Sequence, residues 1–365
     1  MITETSVLKA LSYVDDPDLK KDLVTLNMIR DLQVSSEKIS FTVMLTTPAC
    51  PMKDAIEKAC ENAIRHLVSK DVALEIKMSS QTTSQRIAES NLLPGVKNII
   101  AVASGKGGVG KSTVAVNLAL ALSKNGAQVG IIDADIYGPS LPLMLHTGNQ
   151  RPEVKEDNGK HYMLPVDAYG IKAISIGMLV DESQAVVWRG PMASSALKQF
   201  VSDCRWGNLD YLIFDLPPGT GDIHLTLVQT IPVTAAVLVT TPQDVALADA
   251  KKAAAMFHLA QVNVPVIGVV ENMSYFTPSE LPQNKYYLFG KGGGQKLADE
   301  FNVPLLAEIP LVQRIREGGD EGMPIVLQSE NPAAEIFLEL AGNVARQIAI
   351  RNANFGATQK VEVVH

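Results

Sequence analysis

Gly105-Lys106-Gly107-Gly108-Val109-Gly110-Lys111-Ser112-Thr113 is the stretch on which the reading of this chain turns. It fits the spacing G-x-x-x-x-G-K-[ST] of a phosphate-binding loop. The apolar run Asn98 to Ser104 ahead of it reads as a strand, and Ser112 to Asn125 behind it reads as a helix. That setting is the one the loop needs. Glycines let the backbone curl until successive N–H groups point at phosphate oxygens, and the helix dipole adds to the attraction. Lys111 brings a point charge to the β- and γ-phosphates, and the Ser112 hydroxyl suits Mg²⁺. The nine residues Gly105 to Thr113 are therefore expected to hold a nucleotide. Lys111→Ala is expected to weaken MgATP binding without unfolding the chain, on the view that this lysine is little buried in an empty loop.

Outward from the loop, short β-branched runs alternate with helical stretches. Val129 to Asp133, Tyr211 to Asp215, Ala235 to Thr241 and Val264 to Val270 are apolar without alternation, as strands buried on both faces are. Asp244 to Ala260 has a helical pattern. Such an order predicts an α/β domain, a mostly parallel sheet covered by helices on both faces, over residues 96–350. Upstream, residues 1–78 read as a small α+β domain. It has strands at Ile29 to Val34, Lys38 to Leu45 and Val72 to Met78, and an amphipathic helix with its stripe at Met52, Ile56, Cys60, Ile64 and Leu67. Residues 79–95, rich in Ser, Thr and Gln, read as a linker, and residues 351–365 as a polar tail.

A chain of 365 residues with 46% hydrophobic and 19% charged residues suits two unequal globular domains. Its net charge of −7 argues against a sequence-independent nucleic-acid partner, which needs a basic face. No apolar run approaches the roughly 18–20 residues that cross a bilayer, so no membrane partner is expected. The early acidic residues do not suit a signal peptide. Three cysteines, Cys50, Cys60 and Cys204, are too few for a disulfide framework and point to a reducing compartment, the cytoplasm.

Two further acids, Asp133 and Asp135, end the Val129 strand, and strand ends in an open α/β sheet face the ligand. Either could instead cap a helix. Asp215 closes an apolar strand in the Walker B layout, where a carboxylate can hold Mg²⁺ through water. Leu216-Pro217-Pro218-Gly219-Thr220-Gly221-Asp222 after it has the composition of a switch loop. The Asn272 amide could pair with adenine, although an Asn at a strand end is usually a turn residue.

Together, the segments DADIYGPS, FDLPPGTGD, VVENMSYF and IREGGDEGMP resemble the Mrp/ApbC family of iron–sulfur cluster carriers. That family belongs with MinD and ParA to the deviant P-loop group, which shares the KGGVGK loop. The N-terminal segments DPDLKKDLVTLNMIRDLQV and TTPACPMKDAIE resemble the MIP18-type module fused ahead of many bacterial Mrp ATPases. The resemblance implies an ATP-hydrolysing homodimer that carries an iron–sulfur cluster to apoproteins, in company with assembly factors. It further implies that Lys106 contacts the facing subunit's nucleotide, that Asp135 orients the attacking water, and that Asp133 holds the metal's water shell. A positioning ATPase of the MinD or ParA kind, or a regulatory ATPase that has lost the cluster, is the alternative. The latter is kept open by one departure: where relatives carry Cys-x-x-Cys, this chain reads Thr277-Pro278-Ser279-Glu280-Leu281-Pro282.

That leaves the three cysteines. Cys60 falls on the apolar stripe and reads as a buried thiol, and Cys204 lies in a polar turn with no partner ligand nearby in sequence. Cys50 precedes Pro51 at a helix start, where the dipole would favour thiolate. It is the candidate iron–sulfur ligand, or else a half-buried small residue at a cap.

Overall fold

The computed structural model describes residues 2–85, 92–179, 190–259, 262–278, 280–281, 283–328 and 330–356. The chain divides into two units, one of residues up to Thr83 together with Ala345–Phe355, the other from Ser84 to Val344.

In the first unit α1 (Glu4–Leu11) opens with a capping box in which the Thr3 side chain accepts from the Ser6 N–H. The two-residue strands β1 (Asp15–Asp16) and β2 (Lys21–Asp22) precede β3 (Ile29–Val34), β4 (Lys38–Leu45), α2 (Lys53–Leu67) and β5 (Ala73–Ser80). Strand β4 is central, antiparallel to β3 and parallel to β5. Its alternation buries Ile39, Phe41, Val43 and Leu45 against Ile56, Cys60 and Ile64 of α2. This is the period-two against period-3.6 match that makes a sheet and a helix share one core.

The second unit runs β6 (Val96–Ala103), α3 (Lys111–Lys124), β7 (Val129–Asp133), α4 (Leu141–Met144), β8 (Glu153–Asp157), β9 (Lys160–Leu164), β10 (Val166–Ala168) and β11 (Ile171–Ser175). It continues with α5 (Gly190–Ser202), β12 (Leu209–Asp215), α6 (Asp222–Thr230), β13 (Ala235–Thr240), α7 (Asp244–His258) and β14 (Val266–Glu271). Helix α8 (Gly293–Glu300), β15 (Leu305–Glu308), α9 (Gln313–Asp320) and α10 (Pro332–Asn354) complete the order, the residues of α10 from Ala345 onward belonging to the first unit. Eight strands form one sheet in the order β10-β11-β7-β12-β6-β13-β14-β15, parallel except for β10. Burial of β7, β13 and β14 at every position explains their unbroken apolar sequences. Strands β10, β11 and β15, short runs of three to five residues, escaped the sequence reading, and β10 and β15 are the edges of the sheet.

The strand that feeds the phosphate loop, β6, lies between β12 and β13, and the chain crosses over β12 to reach β7. The C-terminal ends of β6, β7 and β12 therefore open into one crevice, where a parallel sheet presents its ligand site. Two boundaries differ from the sequence reading. Helix α10 continues to Asn354, with Arg351 and Asn352 buried, so the tail does not begin at residue 351. Asn352 Nδ2 donates to the Thr83 carbonyl at 3.1 Å. Leu93, read as linker, is buried in the core of the second unit. Residues 86–91 of the linker and 357–365 of the tail lie outside the described residues. Among the described residues no helix is long and apolar enough to cross a membrane.

Candidate functional site

Gly105 to Gly110 connect β6 to α3, with Gly110 in the left-handed region (φ 79°) as the cap of α3. A side chain there would be strained, and its Cβ would also fall 2.2 Å from Asn272 Nδ2. Gly105 is required for another reason: a Cβ would lie 2.1 Å from the Asp249 carbonyl, because α7 runs against the loop. Lys106 is exposed, and its carbonyl accepts from Ser104 Oγ at 3.0 Å. The loop opens on a cleft of about 280 Å³ lined by Lys106, Lys111, Ser112, Thr113, Asp135 and Ser140, among others. Val109, by contrast, is buried beneath it.

Lys111 is 6% exposed and its Nζ lies 2.5 Å from Oδ1 of the fully buried Asp215. The expectation of a little-buried lysine in the empty loop is thus overturned. The ammonium is held by the Asp215 carboxylate at the end of β12. Asp133 and Asp215 are register partners on the parallel strands β7 and β12, which places two buried acids side by side. Burial first, and then the Asp215 charge, push the Asp133 carboxyl up to about 7. Its acceptors are taken by protein: Oδ1 accepts from the Asp135 N–H at 3.2 Å, and Oδ2 from Ser140 N at 3.1 Å, Leu141 N at 3.3 Å and Ser175 Oγ at 3.0 Å. Asp133 is therefore a brace that ties residues 135–141 to the end of β7. Asp135, half-buried, faces the cleft with its carboxyl pushed up by burial and pulled back by Lys111.

Magnesium fits this donor set. Asp215 Oδ2 is buried with no hydrogen-bond partner, and Ser112 Oγ lies 3.3 Å from Lys111 Nζ in the same cleft. An orphaned carboxylate oxygen beside a hydroxyl suits a hard cation.

Asn272 follows β14, 6% exposed, and its Nδ2 donates to the Val109 carbonyl at 2.8 Å. That amide N–H thereby clamps the phosphate loop. Glu271 beside it is buried and holds Ser274 Oγ at 2.8 Å and the Gly294 N–H of α8. The switch loop after β12 is tied back by Gly219 N to the Ser104 carbonyl at 2.8 Å. Beyond that loop stands His224, 1% exposed and missed by sequence reasoning, with no hydrogen-bond partner on either ring nitrogen. Burial pushes its pKa down to about 4. The Gly221 carbonyl lies close enough to pull the other way without closing a bond, and Lys111 adds to the lowering. Nothing in Asp222-Ile223-His224 marks it as buried, since helical spacing alone leaves either face open.

The three cysteines differ in setting. Cys60 and Cys204 are buried thiols pushed up to about 12 by burial. Cys204 precedes β12 by five residues, at the end of the sheet opposite the cleft. Cys50 is half-buried, and α2 begins only at Lys53, three residues on. Its thiol is pushed up by burial, a Met52 backbone hydrogen bond pulls it back, and Asp18 and Asp16 push it up further. The helix-dipole expectation of a ready thiolate is therefore not met. Among the described residues no group of three metal-binding side chains assembles.

Two family models divide the chain along this architecture. The one described as NUBPL iron-transfer P-loop NTPase, within the ParA group, matches residues 95–345. The chain belongs to the NUBPL iron-transfer P-loop NTPase family. A second model, described as an iron–sulfur cluster assembly protein, matches residues 4–76 of this family member. An iron–sulfur cluster carrier protein of Synechocystis is 48% identical over 352 residues, covering 96% of this chain and 99% of the relative. Its Escherichia coli counterpart is 44% identical over 94% of this chain and 91% of its own. A solved nucleotide-binding protein of Archaeoglobus fulgidus, in complex with ADP, matches with a TM-score of 0.57 at 36% identity, over 66% of this chain and 91% of that one. The resemblance to Mrp/ApbC carriers and the P-loop α/β fold with its smaller N-terminal unit both stand.

Proposed function

We propose that this chain is an ATP-hydrolysing carrier that binds an iron–sulfur cluster and delivers it to apoproteins. The observation that carries the reading is the order of the two family matches along a single chain, an iron–sulfur assembly module ahead of an iron-transfer NTPase. The relatives named as cluster carriers match at full length.

The chemistry assigned to each residue follows from its place. Incoming phosphates are received by the N–H groups of Gly107 to Gly110 and by the start of α3. Lys111 leaves Asp215 for the β- and γ-phosphates, exchanging one buried carboxylate for a more highly charged partner. Ser112 and the Asp215 carboxylate would then hold magnesium, which neutralises developing charge on the phosphates. Asp135 orients the attacking water, while Asp133 keeps its loop in place. Thr113 and Asn272 complete the nucleotide contacts, Asn272 by holding the loop's shape. Exposed Lys106 is free to reach a second copy in a homodimer, where a positive charge supplied in trans acts as an arginine finger does. The sparse cysteines suit the cytoplasm.

For the cluster cargo, two cysteines are buried thiols, which leaves Cys50 as the candidate ligand. A half-buried thiol that resists ionisation holds iron weakly, in keeping with a carrier that must release what it binds. A regulatory ATPase that has lost its cargo is the second reading, favoured by the absence of a thiol pair in residues 277–282. Anaerobic reconstitution with iron and sulfide separates them. The parent should take up a cluster that Cys50→Ser loses while hydrolysing ATP as before. Parent protein that takes up no iron would overturn the carrier reading and leave the NTPase.

A further inference from the structure

Between β14 and α8 the chain carries an aromatic platform that the nucleotide site does not use. Phe276 and Tyr286 exchange backbone hydrogen bonds, each N–H donating to the other's carbonyl at 2.8 Å, and the Leu311 N–H donates to the Tyr275 carbonyl at 2.7 Å. These bonds fix the backbone on which the side chains stand. The Tyr275 and Tyr287 rings meet edge to face, with centroids 6.4 Å apart. Lys285 Nζ lies 4.0 Å from the centre of the Tyr275 ring, and Lys291 Nζ 4.8 Å from that of Tyr287. The result is a ladder of ammonium, ring, ring and ammonium. On the same segment Leu281, Tyr286 and Leu288 are exposed, Leu288 by 61%. Single exposed apolar side chains are ordinary, but a group of them on one short segment marks a binding surface.

Charge indicates what kind of partner fits. Residues 281–296 hold three lysines and no acid, in a chain whose net charge is −7. Neither Lys285 nor Lys291 is in an ion pair among the described residues. Each ammonium rests instead on a ring, which limits its freedom beforehand, so less side-chain entropy is lost when a carboxylate arrives. A second copy docked here through a two-fold axis would set these lysines against themselves, an unfavourable contact of like charges. We propose that this platform is a docking surface for an acidic polypeptide segment bearing aromatic or aliphatic side chains. Its carboxylates pair with Lys285 and Lys291 while its apolar groups cover Tyr286 and Leu288. The surface stands apart from the cluster cargo and serves whether or not the chain carries one.

Fluorescence anisotropy on the full chain tests this with a fluorescein-labelled copolymer of glutamate and tyrosine, at about 0.15 M salt to screen distant charges. The parent should bind the copolymer at least about 10-fold more tightly than polyglutamate of the same length, which offers the charge without the apolar cover. Lys285→Glu with Lys291→Glu should weaken copolymer binding by about 10-fold or more. Tyr286→Ser with Leu288→Ser should bring the copolymer down to the polyglutamate level. Lys160→Glu with Lys198→Glu, an equal change of charge at exposed positions elsewhere, should leave binding within about twofold. Should a platform pair melt lower than the parent, Leu288→Ser alone, at the most exposed of these positions, carries the same test. Equal affinity for the two polymers, or control reversals as damaging as those in the platform, would reduce the binding to general electrostatics and overturn the proposal. A parent that does not bind the copolymer would overturn it too. Self-association of the parent in sedimentation velocity that Tyr286→Ser with Leu288→Ser abolishes would assign the face to a second copy, and overturn it likewise.

Discussion

Lys111→Ala removes the cation that faces Asp215, and the structure makes the consequence larger than the loss of a phosphate contact. Lys111 is 6% exposed, Asp215 is fully buried, and the two lie 2.5 Å apart. Alanine leaves the Asp215 carboxylate buried without compensation, with Asp133 in register beside it. Breaking one side of a buried pair costs about 3–5 kcal/mol. At about 2–4 °C per kcal/mol for a unit of this size, the melting temperature should fall by roughly 6–20 °C. Urea titration of the empty protein measures the same quantity as a lower midpoint. The cause is checked by the double variant Lys111→Ala with Asp215→Asn. Neutralising the stranded acid should recover most of the lost stability while leaving nucleotide binding absent. A single variant as stable as the parent, or a double variant no better than the single, would show that the pair does not govern the empty site.

His224 predicts an acid sensitivity. Its pKa is depressed in the folded chain from 6.5 to about 4, so the neutral ring favours folding above 6.5 and that advantage is lost as pH falls towards 4. At 1.36 kcal/mol per pKa unit the loss is about 3 kcal/mol, and His224→Gln should abolish it. Urea midpoints at pH 7.5 and pH 4.5 should converge for the variant relative to the parent; parallel pH profiles refute the assignment. Gly105→Ala should cost at least about 2 kcal/mol by driving α7 off the loop. Gly148→Ala, whose added methyl meets nothing within 4 Å, should change stability by less than about 0.5 kcal/mol, and equal effects at the two sites would count against the packing argument.

Local chemistry made much of this protein legible. Gly105 to Thr113 between a strand and a helix could be read because the loop's function depends on contiguous backbone N–H groups. The strand Val129–Asp133 was read with its observed bounds because burial on both faces imposes an unbroken apolar run. The stripe of α2 was legible for the corresponding helical reason.

Tertiary structure decided what depends on partners distant in the chain. Lys111 and Asp215 are 104 residues apart, and only the β6–β12 pairing brings them together to turn an expected phosphate lysine into half of a buried ion pair. Asp133 became a brace because Ser140 and Ser175 fold back onto it, which no spacing rule around β7 encodes. Asn272 met the Val109 carbonyl across 163 residues, and Gly105 met α7, through the stacking of helix on sheet. Cys50 shows the same limit from the other side. Its sequence neighbours promised a helix dipole, but burial and the carboxylates of Asp18 and Asp16, set beside it by the fold, push its thiol the other way. Backbone geometry is written locally, whereas the electrostatics of a side chain are set by whatever the fold packs against it.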